Sequence, residues 1–150
     1  MANKLFEELK KDHREVQSII SKLEKTSEES SKREELFSQL KQELEPHQKA
    51  EEHVFYPALE KEDEVRKDVL EGIEEHHVAE YVLKEMDTMN KGEEQWSAKL
   101  SVLKELVDHH IEEEESKIFH DADEVLDQKQ FDQISAKFHD EKEKIRGRMA

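Results

Sequence analysis

The sequence predicts an all-α protein, an up-down-up-down four-helix bundle with an additional C-terminal helix. Apolar residues recur at three- and four-residue intervals along most of the chain, the spacing of one helix face. Three Gly and two Pro leave few places to turn, which favours long helices over many short strands. Glu, Lys, Leu and Gln, all good helix formers, fill the stretches between these breakers. With 33% hydrophobic and 43% charged residues the composition borders on that of disordered chains, so the periodicity is what argues for a fold.

The first helix is predicted from about Asn3 to Lys25, with Leu5, Leu9, Val16, Ile19, Ile20 and Leu23 on one stripe. It stops in the polar run from Thr26 to Ser31. Ser31 with Glu34 reads as a capping box opening the second helix, which reaches about Lys61 and carries Leu36, Phe37, Leu40, Leu44, Phe55 and Leu59. Pro46 lies inside this stretch, so a bend or a broken hydrogen-bond ladder is expected there. Asp63 is the expected cap of the third helix, whose stop is Asn90-Lys91-Gly92, with Gly92 free to turn left-handed. The fourth helix runs from about Glu93 to Phe119 along Trp96, Leu100, Leu103, Val107 and Ile111. Asp121 with Glu124 suggests one more capping box, opening a fifth helix from about Asp123 to Arg146 with a thinner stripe of Leu126, Phe131, Ile134, Phe138 and Ile145. Residues 1–120 then form the bundle, and residues 121–150 form a helix packed on it in the same domain. The thin stripe also leaves room for a partner, so monomer and homodimer are both compatible with it.

A formal net charge of −16 argues against nucleic acid or an anionic membrane as partner. The absence of cysteine excludes disulfides, zinc–thiolate sites and iron–sulfur clusters. No stretch has the apolarity of a signal peptide or a membrane span, so a soluble cytoplasmic protein is expected.

Several of the nine histidines stand where an apolar stripe should continue. His13 follows Leu5 and Leu9 at intervals of four; His47, His76 and His110 each fall three residues after Leu44, Ile73 and Val107. His13 and His47 are 34 residues apart, as are His76 and His110, and an offset of 63 carries His47 to His110 and Glu51 to Glu114. This is a two-fold internal repeat of a helical pair, each written as His, then His-x-x-x-Glu. At about 1.5 Å rise per residue the four histidines come out at one level of the bundle, with Glu51 and Glu114 one turn along the same faces. Glu80, four residues after His76, is a further candidate, with Tyr81 as its rival. His77 and His109 break the repeat, and His53, His120 and His139 have no counterpart in it, which assigns those three to the surface. Imidazoles and carboxylates converging in a core are costly to bury without cations to neutralise them. Nitrogen and oxygen ligands without sulfur suit iron, manganese or zinc, and the imidazole share favours iron.

Asp12-His13-Arg14, His47 to Glu52 followed by Phe55-Tyr56-Pro57, Glu75-His76-His77, and His110 to Glu115 followed by Ile118-Phe119 together resemble the hemerythrin-like (HHE cation-binding) domain family, from about Leu5 to Phe119. The resemblance implies two iron ions joined by an oxo or hydroxo bridge, one held by His13 and His47, the other by His76, Glu80 and His110, with Glu51 and Glu114 bridging. It implies dioxygen, peroxide or nitric oxide as small ligand, at the iron with fewer protein ligands. Oxygen-carrying members place a histidine where this chain has Glu80, and their last bridging carboxylate is an aspartate five residues after its histidine. An extra anionic ligand at Glu80 would favour a stable di-ferric centre over reversible oxygen carriage. A protein binding or sensing oxygen, a related small ligand or iron is therefore expected. Competing readings are an enzyme with peroxidase-like, catalase-like or nitric oxide-related activity, and a helical interaction module without a catalytic metal.

Overall fold

A computed structural model describes residues 3–26 and 30–149. The chain is all-helical: α1 (Lys4–Glu24), α2 (Ser31–Ala50), α3 (Tyr56–Glu60), α4 (Asp63–Thr88), α5 (Glu94–Glu113), α6 (Phe119–Val125) and α7 (Gln128–Met149). Two π-helical turns, Glu51–Phe55 and Glu114–Ile118, join α2 to α3 and α5 to α6 without a break, so the bundle has four long rods. Sequential rods pack on one another, and α1 against α5 closes the ring.

The helix ends correct three expectations by a few residues. The cap of α2 is Ser30, whose hydroxyl accepts the Arg33 N–H at 3.1 Å, and Ser31 is already helical; residues 27–29 of the preceding polar run lie outside the described residues. Glu62, with no side-chain cap bond, precedes α4, and Asp63 is its first residue, where its carboxylate accepts from Arg66 at 2.6 Å. Asp121 and Glu124 lie inside α6, the continuation of the fourth rod; α7 opens instead on a reciprocal box, Gln130 N–H to Asp127 Oδ1 and Asp127 N–H to Gln130 Oε1, both 2.9 Å. Aspartate and glutamine at that spacing satisfy two orphan donors of the first turn as a Ser/Glu box does. Between α4 and α5, the Gly92 N–H donates to Asn90 Oδ1 at 2.7 Å.

Pro46 does not break α2. Proline has no N–H to offer the carbonyl four residues back, which is Gln42. Arg146 of α7 supplies that bond, its Nε donating to Gln42 O at 3.3 Å. The last helix lies against α1 and α2, burying Phe131, Ile134 and Phe138, and Lys142 and Arg146 pair with carboxylates of the first two rods.

The interior is two apolar clusters with a polar layer between them. One contains Val16, Leu23, Phe37, Leu83, Met86, Trp96 and Leu103; the other contains Leu5, Leu9, Phe55, Leu59, Val69, Phe119 and Phe138. At the far end of the first, Arg33 is buried over Trp96 and donates to the backbone oxygens of Thr26 and Lys91, tying three loop-proximal segments together. No helix among the described residues is long and apolar enough to cross a membrane.

Candidate metal centre

The polar layer is where the repeat-related residues meet. His13, His47, His76, His110, Glu51 and Glu114 are all buried. One ligand atom from each of His13, His47, Glu51 and Glu114 lies within 4.8 Å of the others, and Glu51, His76 and His110 form a second such group. Each carboxylate touches a histidine from both halves of the repeat. Glu51 Oε1 is 3.3 Å from His47 Nε2 and 3.2 Å from His76 Nε2; Glu114 reaches His13 Nε2 and His110 Nε2, each at 3.3 Å. His76 and His110 also face each other, their Nε2 atoms 3.1 Å apart. His77 and His109 are exposed, as are His53, His120 and His139.

Every inward histidine is held by its other nitrogen. The Nδ1–H donates to a carboxylate in all four cases: His13 to Glu115 at 2.6 Å, His47 to Asp12 at 2.9 Å, His76 to Glu52 and His110 to Glu75 at 2.8 Å. A carboxylate only accepts, so each bond places the hydrogen on Nδ1 and turns Nε2 inward, as metal-binding histidines are commonly oriented. These four carboxylates were not anticipated, yet the same repeat relates them: Asp12 to Glu75 and Glu52 to Glu115, each pair 63 apart. Each stands next to a site residue in sequence and supports a histidine on a neighbouring rod.

The π-helical turns obey the repeat as well, since Glu51 and Glu114 begin them. Their N–H groups bond five residues back, Tyr56 to Glu51 O and Phe119 to Glu114 O, and this wider turn brings the fifth residue back towards the face of the glutamate. Tyr56 and Phe119 accordingly stack on His76 and His13, at 5.5 and 6.4 Å between ring centroids. Here the two halves differ. The Tyr56 hydroxyl donates a short hydrogen bond to Glu114 and lies 3.4 Å from Glu51 Oε1 and 3.3 Å from His110 Nε2. Gly72 makes room for it: a Cβ there would stand 3.3 Å from His110 Cε1 and 3.5 Å from the Tyr56 oxygen. Their equivalents in the repeat are Phe119 and Leu9, an apolar pair.

Glu80 is not brought into the cluster. Its carboxylate pairs with Lys49 at 3.3 Å and Lys84 at 3.1 Å on the bundle surface, and these lysines hold it below the ordinary carboxylate range against the upward push of burial. Tyr81, its rival, is 65% exposed. The extra anionic ligand expected to favour a stable di-ferric centre is therefore not supplied by Glu80. The repeat carries the warning, because the first-half equivalent of Glu80 is Gln17, which is bonded to Asp108.

Electrostatics show how ill-suited this layer is to standing alone. Burial pushes the Glu51 carboxyl up to about 8, and its neighbour Glu114 pushes the same way. Burial also raises Glu114, but its neighbours Glu51, His110 and His13 outweigh it and lower the group, so Glu51 and Glu114 share one proton between them. Burial lowers His110, yet its bonds to Glu114 and Glu75 carry it up to about 10; His13 is raised likewise by Glu114 and Glu115. Among the described residues, four buried side-chain atoms have no hydrogen-bond partner: His13 Nε2, His47 Nε2, Glu51 Oε2 and Glu114 Oε1. All four belong to the first of the two groups. An unpaired buried polar atom costs about 1–3 kcal/mol, and cations would satisfy these lone pairs together. Four imidazole nitrogens and two carboxylates without sulfur are a donor set that fits iron, manganese or zinc.

A scan of protein-family models matches the Hemerythrin HHE cation binding domain over residues 4–122. Among solved structures, the fold is similar to that of a hemerythrin HHE cation binding domain-containing protein from Mycobacterium kansasii, with 24% identity, a TM-score of 0.83, and coverage of 98% of this chain and 89% of that one. The curated proteins yielded no match. With the family model spanning nearly all of the four rods that carry the histidine–carboxylate layer, the chain belongs to the hemerythrin HHE cation binding domain family.

Proposed function

We propose that this protein holds a pair of iron ions, with manganese and zinc as alternatives, between His13, His47, His76 and His110, with Glu51 and Glu114 shared by both ions, and that it binds an apolar diatomic ligand, dioxygen or nitric oxide, beside them. A bound iron pair would supply an open coordination position and electrons for such a ligand.

The observation that carries this reading is an adjacency. Three histidines of the layer, His13, His47 and His110, the first two bearing unpartnered Nε2 atoms, line a cavity of about 20 Å³. That is room for one water-sized or diatomic molecule. Its other walls are three repeat-related pairs, Val16 with Ala79, Leu44 with Val107 and Gln48 with Ile111, together with Leu106 and Glu75, and are mostly apolar. Such walls favour an apolar gas over hydrogen peroxide, which would have to shed hydrogen bonds to enter. The chain's own residues have definite work here. Asp12, Glu52, Glu75 and Glu115 aim the imidazoles, Glu51 and Glu114 supply negative charge, and the Tyr56 O–H keeps a proton at Glu114 Oε2.

Ala79→Leu, which adds bulk to the cavity wall and leaves every proposed ligand residue in place, tests this. The variant is expected to retain iron while losing most of the optical response of the ferrous protein to nitric oxide and dioxygen. An unchanged response would contradict the cavity's role. Turnover of peroxide well above that of free iron, unaffected by the substitution, would favour the enzyme reading instead.

A further inference from the structure

The four carboxylates that hold the histidines are related by the repeat, but among the described residues only one of them is itself held by a buried cation. Lys142 Nζ donates to both oxygens of Asp12 at 3.1 Å and to Glu8 Oε2 at 2.7 Å, and the lysine is buried. Asp12 in turn accepts from His47 Nδ1. One turn earlier on α7, Phe138 sets its ring edge-on to His47, 5.7 Å between centroids at 80°. The repeat equivalent of Asp12 is Glu75, which meets no such residue among those described; its second oxygen faces exposed His109 at 3.5 Å. Both α7 residues lie beyond the segment matched by the family model, which ends at 122.

We infer that Lys142 is a positioning residue for one of the two metal positions: through Asp12 it fixes the His47 imidazole and so makes the His13–His47 position hold a cation more tightly than its half of the bundle would without α7. This rests on the metal-pair reading above. The physical basis is restraint. A carboxylate bonded only to a histidine can swing about its side-chain torsions, whereas Asp12, gripped on both oxygens by a buried ammonium, presents Oδ2 in one orientation. Partners of this kind typically contribute 10–100-fold in metal affinity.

Cobalt(II), whose absorption reports its ligands, is titrated into chelator-treated full-length protein. Wild type is expected to bind in two resolved steps. Lys142→Met weakens one step about tenfold and leaves the other unchanged, while Lys142→Arg restores it. In an Asp12→Ala background Lys142→Met adds no further loss, because the lysine acts through that carboxylate. If Lys142→Met does not keep wild-type helicity, Lys142→Gln, which retains the stem and a donor, reads the same step. Two cobalt steps of wild-type affinity in the Met or Gln variant overturn this inference alone. So do equal losses at both steps, a tightening, or additive losses with Asp12→Ala. Failure of wild type to bind two cobalt ions overturns the metal-pair reading, and this inference with it.

Discussion

Tyr56 and Gly72 mark where the two halves of the repeat part company, and both invite substitution. Tyr56→Phe leaves the ring stacked on His76, as Phe119 is on His13, but removes the hydroxyl beside Glu114 and Glu51. It is expected to lower the stability of the metal-free protein by about 1–3 kcal/mol, read from the urea midpoint, while leaving metal stoichiometry intact. Gly72→Ala adds a methyl 3.3 Å from His110 Cε1, and His110 is held by both Glu75 and Glu114 and cannot easily give way. The gain in helix propensity of about 1 kcal/mol offsets part of the clash in overall stability. Metal retention against a chelator should nevertheless fall, and a variant that retained metal as wild type does would show that the ring has room to move.

Much of this residue-scale pattern was legible in the sequence. The 63-residue repeat picked out four histidines and two glutamates, and the structure gathers all six. Extended by one residue on either side, the same offset contains Asp12, Glu52, Glu75 and Glu115, but nothing in a glutamate-rich helix distinguishes a buried acceptor from a solvated charge. Glu80 was misplaced for the matching reason. Its i, i+4 spacing from His76 puts it on the right face in an ideal helix, yet Lys49 and Lys84 offer it a solvated pairing that costs less than burial.

At the scale of elements, the rods were readable from apolar periodicity, whereas their ends and irregular turns were not. The π-helical turns leave no periodicity signature of their own in five residues, EEHVF or EESKI. They decide the site none the less, because they return Tyr56 and Phe119 to the faces of Glu51 and Glu114. Cap positions slipped by one at Ser30 because a neighbouring serine reads equally well from sequence. That difference is measurable. Ser30→Ala should cost about 1 kcal/mol of unfolding free energy, and Ser31→Ala close to nothing, in chemical denaturation of the two variants side by side. Equal losses would contradict the assignment of Ser30 as the cap. The Asp121–Glu124 box failed for a different reason: the π turn carries the fourth rod on through Val125, so those residues never meet a helix start.

For the whole molecule, the polar layer between two apolar clusters makes stability depend on protons or metal. Glu51, raised to about 8 from 4.5, holds a proton in the folded metal-free protein that the unfolded chain has released over that range. His110, raised to about 10 from 6.5, does the same higher up. A folded state that binds more protons loses stability as pH rises. The chelator-treated protein should therefore melt at a lower temperature at pH 9 than at pH 6, and Glu51→Gln should flatten part of that slope. The lowered Glu114 acts below the ordinary carboxylate range and does not enter this window. Metal binding must displace the same protons, so affinity should climb across the window in which the metal-free fold weakens. A melting temperature that rose from pH 6 to pH 9 would mean that the carboxylate pair does not share a buried proton.

The function proposed for the whole molecule stands or falls on a pair of iron ions in the histidine–carboxylate layer. Iron content per chain and the visible spectrum, measured on protein produced with added iron for wild type and Glu51→Ala, test it most directly. Glu51 is the residue common to both ligand groups, so its removal should strike both positions. About two irons per wild-type chain are expected, with the absorption of a coupled ferric pair, and loss of both features in the variant. Wild type without iron, or a single metal unaffected by Glu51→Ala, would contradict it.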